Sequence, residues 1–235
     1  MFDASAEFYD AIYASLKDYR EETARVARLI RGINAQYRTV LDIACGTGEH
    51  ARHLTQAGFA VDGLDLEPQF VRLAQNKNPQ GRFIAGDMRH FELSRRYDVV
   101  MCLFSSIGYV RTLEQVAATL RCFRDHLSAD GTIIVEPWFA PGILDPSRVD
   151  RVSCEVNGAR ITRSSRIELE PGLSRLLFDY EIVDATVTRH MKELHELGLF
   201  TQEELMEAFR TAGLDATYDP IGLMNRGLYV ARVSK

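Results

Sequence analysis

"LDIACGTGEHA", residues 41–51, is the stretch on which the fold turns. A mostly apolar run, TVLDIAC (39–45), leads into Gly46-x-Gly48-x-x-Ala51. A buried strand entering a glycine loop that opens a helix is the start of a doubly wound α/β sheet, with ligands beyond the carboxyl end of the strand. The glycines let the backbone approach a ligand closely. Two ligand classes suit such a loop: the pyrophosphate of a dinucleotide, or S-adenosylmethionine (SAM), which has no phosphate.

Outward from the loop, strands and helices alternate. Helix 48–57 ends at Gly58, and FAVDGLDL is a second strand. A helix over 68–76 follows Pro68; GRFIAGDM and YDVVMCLFS are the third and fourth strands. An amphipathic helix over 112–127 and the strand GTIIVEPW come next. Such alternation predicts a parallel sheet. Ahead of it, 5–15 and 18–31 read as helices. After Pro141 the pattern changes. VSCEV and ARITRSSRIELE flank Asn157-Gly158, a strong hairpin signal. LSRLLFDYEIV and VTRHMKELHELGLF are two more extended segments, so an antiparallel sheet is inserted. Thr201-x-x-Glu204 is a capping box opening a helix to Gly213, and two strands close the chain. The expected architecture is a mostly parallel sheet of seven strands with an inserted antiparallel sheet. Its units are an N-terminal helical cap (1–38), a core (39–140 and 200–235) and an inserted substrate cover (141–199).

The charges around the loop choose between the ligands. Asp42 lies on the first strand and Glu49 follows Gly48. A pyrophosphate is repelled by both, whereas the ammonium and sulfonium of SAM are attracted. Glu49 is explained by the helix macrodipole alone. Asp42, inside an apolar strand, needs a partner. Asp65 ends the second strand, where a carboxylate accepts ribose hydroxyls of either ligand, with Leu66 beside it. Asp87 ends the third strand and suits the adenine amino group, with Met88 packing the ring. A turn aspartate explains Asp87 alone, but not carboxylates on strands one, two and three together.

The composition narrows the function. A formal charge of −5 argues against nucleic acid or an anionic membrane surface as partner. No apolar run reaches the roughly 20 residues of a membrane span. MFDASAEFYD lacks the features of a secretory signal, so a cytoplasmic location is expected. Four cysteines without C-x-x-C spacing read as buried apolar groups. No metal site is readable; His50 and His53, three apart on one helix, read as surface residues.

Asp42-Ile-Ala-Cys-Gly-Thr-Gly48, Gly63-Leu-Asp65 and Gly86-Asp-Met88 resemble the first motifs of class I SAM-dependent methyltransferases. KDY (17–19), GDMRHFEL, FSSIGYV (104–110), VEPWF (135–139) and NRGLYV (225–230) further resemble bacterial N,N-dimethyltransferases of nucleotide-linked amino sugars, of the desosamine and mycaminose type. The resemblance implies SAM contacts at Tyr19, the glycine loop with Ala44, Gly46 and Gly48, then Asp65, Asp87, Met88 and Leu103. It implies Tyr9 in the active site, Glu136, Pro137 and Trp138 on the sugar side, and Arg226 on the nucleotide phosphates. The departures fall on the substrate side: Met1-Phe2 stands ahead of Tyr9, Leu223-Met224-Asn225 precedes the RGL segment, and HELGLF differs. Arg148, Arg151, Arg160, Arg163, Arg166 and Arg175 are among the arginines in or just before the insert. Asp150, Glu155, Glu168 and Glu170 dilute them, so most read as a solvated face, with one or two for a pyrophosphate.

The expected reaction is in-line displacement of a methyl group by the amine of a small molecule, a thymidine-diphosphate amino sugar by resemblance. Tyr109 and Glu136 are the candidates for handling its proton, each with positioning as the first role. Another small amine or a hydroxyl is the alternative acceptor. A NAD-dependent oxidoreductase or a SAM-binding protein without catalysis are the competing classes; Asp42 argues against the oxidoreductase. A homodimer is compatible with the sequence.

Overall fold

The computed structural model describes residues 8–234. A seven-stranded sheet holds β1 (Thr39–Ile43), β2 (Ala60–Asp65), β3 (Phe83–Ala85), β4 (Tyr97–Cys102), β5 (Leu127–Val135), β10 (Leu214–Asp219) and β11 (Leu228–Val233). Their order is β10-β11-β5-β4-β1-β2-β3. All neighbouring pairs are parallel except those made by β11. A second, antiparallel sheet has β6 (Val149–Val156), β7 (Ala159–Glu170), β8 (Leu173–Val183) and β9 (Thr188–Gly198) in sequence order.

Alternation along β1 places the site. Leu41 and Ile43 face one core with α5 (Leu113–Asp125) and α6 (Gln202–Thr211), through Leu120, Phe123 and Phe209. Val40 faces the other, with Val26 and Ile30 of α2 (Tyr19–Ile33) and Leu54 of α3 (Glu49–Gln56). Asp42 follows Val40 by two, so its carboxyl points towards α2 and α3 at the carboxyl end of the sheet.

The second sheet is built by its turns. Asn157 and Gly158, both at positive φ, make the two-residue turn that pairs Val156 with Ala159. Short α1 (Tyr9–Ala14) packs on this sheet, with Phe8 and Ile12 against Ile161, Phe178, Tyr180 and Ile182. The first helix was expected over 5–15; positions 5–7, like Met1 and Phe2, lie outside the described residues. The capping box forms, with Glu204 N–H on Thr201 and Thr201 N–H on Glu204. A 3₁₀ turn over Ser106–Val110 is an element that periodicity does not announce, because it is too short to repeat. Among the described residues no helix is long and apolar enough to cross a membrane.

Candidate active site

The loop after β1 takes a left-handed backbone at Ala44, Gly46 and Gly48. For Ala44 this costs energy, which the surrounding structure must hold in place. A Cβ on Gly46 would meet no atom within 4 Å, because that side faces open space. Gly46 N–H donates to Asp65 Oδ2 (2.8 Å) and Glu67 N–H to Asp65 Oδ1 (2.9 Å). Asp65 therefore ties the loops after β1 and β2 together. Each of its oxygens keeps a lone pair for a ribose hydroxyl. Gly48 was expected to admit the ligand. Its Cβ would instead fall 2.7 Å from Asn78 Nδ2 and 2.9 Å from Ala74 Cβ, so it seats the loop on α4 (Pro68–Lys77).

Asp42 is buried, and its Oδ2 has no partner among the described residues. Burial, then the Asp65 carboxylate, push it up to about 8. It lines a small cavity of about 40 Å³ with Tyr19, Ala44, Gly46 and Leu103. A cation placed there recovers what burial of the carboxylate costs, which is the fit required by the ammonium of SAM. The folded protein keeps a proton that the unfolded chain loses near pH 4. Asp42 thus lowers stability as pH rises from about 4 to about 8. Asp42→Asn is expected to gain melting temperature over wild type at pH 8 and not at pH 4. It should also bind S-adenosylhomocysteine about 10- to 100-fold more weakly, the loss of a charged hydrogen bond. Unchanged affinity by calorimetry would remove Asp42 from the ligand.

His50 corrects an expectation. It is buried, 2.9 Å from Glu22 Oε1, and Lys17 Nζ lies 3.0 Å from the other oxygen. Burial alone would raise Glu22, but His50 and Lys17 hold it near 2. The Tyr19 ring meets His50 edge-on at 5.2 Å, so this group braces the small cavity. His53 is half-buried, its side chain 15% exposed beside Glu49. Glu49 meets Lys77 at 2.9 Å and Arg52 at 2.7 Å at the start of α3. Among the described residues no group could hold a metal ion.

Two larger cavities adjoin. One, about 330 Å³, is lined by Asp65, Leu66, Gly86, Asp87 and Met88. Leu66 is 53% exposed there, an apolar rim for a planar base. Asp87 is gripped by Arg89, whose Nε lies 3.0 Å from both oxygens, and this bond holds the carboxyl below its usual range. The second, about 520 Å³, runs between Trp138, Arg148, Arg163 and Arg226. Tyr9, Ser106 and Tyr109 line both.

Glu136 and Pro137 do not line these cavities. Glu136 is fully buried at the end of β5, accepts Phe104 N–H (2.7 Å) and lies 3.4 Å from Arg226 Nη2. Burial raises it and Arg226 opposes the rise. Its place is beneath Arg226. Pro137 C=O accepts from Ser105, and Trp138 Nε1 donates to Ser174 on β8 (2.9 Å).

Of the six arginines, Arg151, Arg160 and Arg166 are exposed, and Arg175 sits between Glu170 and Glu196. Arg148 lines the large cavity but is exposed and pairs with Asp150. Arg163 is different: buried, over Phe178 (4.4 Å) and Tyr13 (5.1 Å), with Nε and Nη1 unpartnered among the described residues. Its signal was available, since it is in phase with Ile161 on β7. Arg226 likewise has an unpartnered buried Nε.

Known proteins match this architecture. A family model described as a methyltransferase domain matches residues 40–131. The dTDP-3-amino-3,6-dideoxy-alpha-D-glucopyranose N,N-dimethyltransferase of Streptomyces fradiae is 37% identical, over 95% of this chain and 89% of its own. The crystal structure of Streptomyces venezuelae DesVI superposes with a TM-score of 0.91 at 33% identity, covering 98% of both chains. SAM-bound CalS10, an amino pentose methyltransferase from Micromonospora echinaspora involved in calicheamicin biosynthesis, gives 0.86 at 32% identity and 95% of both chains. With a buried, unpartnered carboxylate beside its glycine loop, and relatives matching over almost its whole length, the chain belongs to the class I SAM-dependent methyltransferases, in the family of the dTDP-amino-sugar N,N-dimethyltransferases.

Proposed function

We propose that the acceptor is the amino nitrogen of a nucleoside-diphosphate-linked amino sugar, and that the large cavity receives it. The observation that carries this reading is a pair of guanidiniums, Arg163 buried and Arg226 nearly so, each with a buried donor unpartnered among the described residues. A diphosphate satisfies such donors, and arginine suits its oxygens. Trp138 and Phe139 offer aromatic surface for the sugar or base.

Bound SAM supplies a methyl group made electrophilic by its sulfonium. Asp42, Tyr19, Ala44, Gly46 and Leu103 hold its amino-acid end. Asp65 and Leu66 take the ribose, and Asp87 and Met88 the adenine. Tyr9 and Tyr109, lining both cavities, sit where nitrogen and methyl meet. Their work is alignment, which can supply about 7–11 kcal/mol of a barrier. In this reading residues 1–38 cap the site, 39–140 with 200–235 form the cofactor-binding core, and 141–199 cover the acceptor and exclude water.

Mass spectrometry of a reaction with SAM and a thymidine-diphosphate-linked 3-amino-3,6-dideoxyhexose tests it. The expected product is heavier by one or two methyl groups. No product, with S-adenosylhomocysteine still bound tightly, would discard the sugar nucleotide and direct the search to other small amines.

A further inference from the structure

Behind Tyr109 lies a chain of polar groups that alignment does not require. The Tyr109 hydroxyl is 3.1 Å from Nδ1 of His195 on β9. His195 Nε2 is 3.5 Å from Oε2 of Glu193, two residues earlier on the same face of the strand. The two side chains are 1% and 3% exposed. Tyr180 on β8 donates to the same Glu193 oxygen at 2.9 Å. One end of this chain is at the junction of the two large cavities, and the other is inside the second sheet.

The chemistry can use such a group. Lysine's amine titrates near 10, and although neighbouring hydroxyls draw a sugar amine below that, at neutral pH most of the acceptor nitrogen carries an extra proton and has no lone pair. We infer that His195, acting through the Tyr109 hydroxyl, accepts that proton, with Glu193 stabilising the resulting imidazolium. The inference rests on the amine acceptor proposed above. The proton of the ammonium passes to Tyr109 Oη as the tyrosine's own proton passes to His195 Nδ1. The nitrogen keeps its electron pair, which would form the new N–C bond as the methyl–sulfur bond breaks and its pair goes to the sulfur. His195 also lines the first large cavity, through which the proton can leave once the products have gone.

Burial, then the Tyr13 hydroxyl and the Glu193 carboxylate, push Tyr109 well above its usual range. Tyr109 is therefore a conduit and not a store: a phenolate is disfavoured there. Among the described residues the groups facing His195 are Tyr109 from the 3₁₀ turn, Glu193 from β9, and Phe178 with Tyr180 from β8. Arg163 from β7 lies over Phe178 and Tyr13 from α1.

His195→Gln tests the inference. Glutamine keeps an acceptor for the Tyr109 hydroxyl but takes no proton. The expected result is a kcat/KM on the amino sugar about 100-fold lower at pH 7, with the deficit closing as pH rises towards 10 and the amine frees itself. The KM for SAM should not move. An equal deficit at every pH, or none, would overturn the inference, since a packing role has no pH signature. A second readout needs no acceptor. Nitrogen-15 NMR of His195 in the complex with S-adenosylhomocysteine should show the Nε2–H tautomer, with Nδ1 accepting from Tyr109. An Nδ1–H tautomer would overturn the inference whatever the acceptor, while failure of methylation alone would count against the sugar nucleotide.

Discussion

Arg226→Ala is expected to lose acceptor turnover and a large part of the protein's stability together, and a second substitution should separate the two losses. Arg226 pairs with Glu136, which is fully buried. Removing one partner of a buried pair strands the other charge and costs about 3–5 kcal/mol. Glu136 is already raised by burial, and losing Arg226 raises it further. The sign follows: the destabilisation is full at high pH, where the stranded carboxyl must ionise or hold a proton against its unfolded tendency. It shrinks at low pH, where both folded and unfolded carboxyls are protonated. The double variant Arg226→Ala with Glu136→Gln carries no buried charge and should recover most of the denaturation midpoint. It should not recover turnover of a diphosphate-linked acceptor, because the guanidinium is still missing. Recovery of both would show that Arg226 only neutralises Glu136.

Gly46→Val is expected to abolish cofactor binding, more than 100-fold by calorimetry with S-adenosylhomocysteine, and to leave a folded protein. Gly46 has φ +55, where a β-branched residue is strained by about 1–2 kcal/mol. That alone lowers the melting temperature without unfolding a domain of this size. The larger effect is steric. The new side chain has no protein atom within 4 Å of its Cβ, so it occupies the space shared by the small cavity and the first large one. Gly48→Ala is the control. It collides with Ala74 and Asn78 and should cost stability first and affinity second. If the two variants lose affinity equally, the ligand does not lie against Gly46.

The parallel core was legible because its signals are local. TVLDIAC, its glycine loop and the carboxylates ending β2 and β3 lie within a few residues of the elements they mark. The Asn157-Gly158 turn fixed the register of the inserted sheet for the same reason. His50 was misread because its partner, Glu22, is 28 positions away on another helix, and no helical spacing connects them. Tyr109 and His195 are 86 apart and meet only when the 3₁₀ turn packs on β9. Glu136 looked like a wall of the sugar site, yet it lies beneath Arg226. Strand alternation gives the face of a residue, not which of two neighbouring side chains reaches the cavity. Arg163 was different, since its phase with Ile161 marks it as inward.

Helix α1 carries a consequence for how the two ligands bind. It has six residues, too few to hold a helix in water by themselves. Its order is lent by Phe8 and Ile12 on the second sheet and by Asp10, which pairs with Thr47 of the glycine loop and Lys77 of α4. Its Tyr9 lines all three cavities. The two large cavities therefore share one wall, and any movement of this turn that one ligand favours is felt by the other. Such coupling is reciprocal: each ligand changes the other's affinity by the same factor, although the chambers are separate.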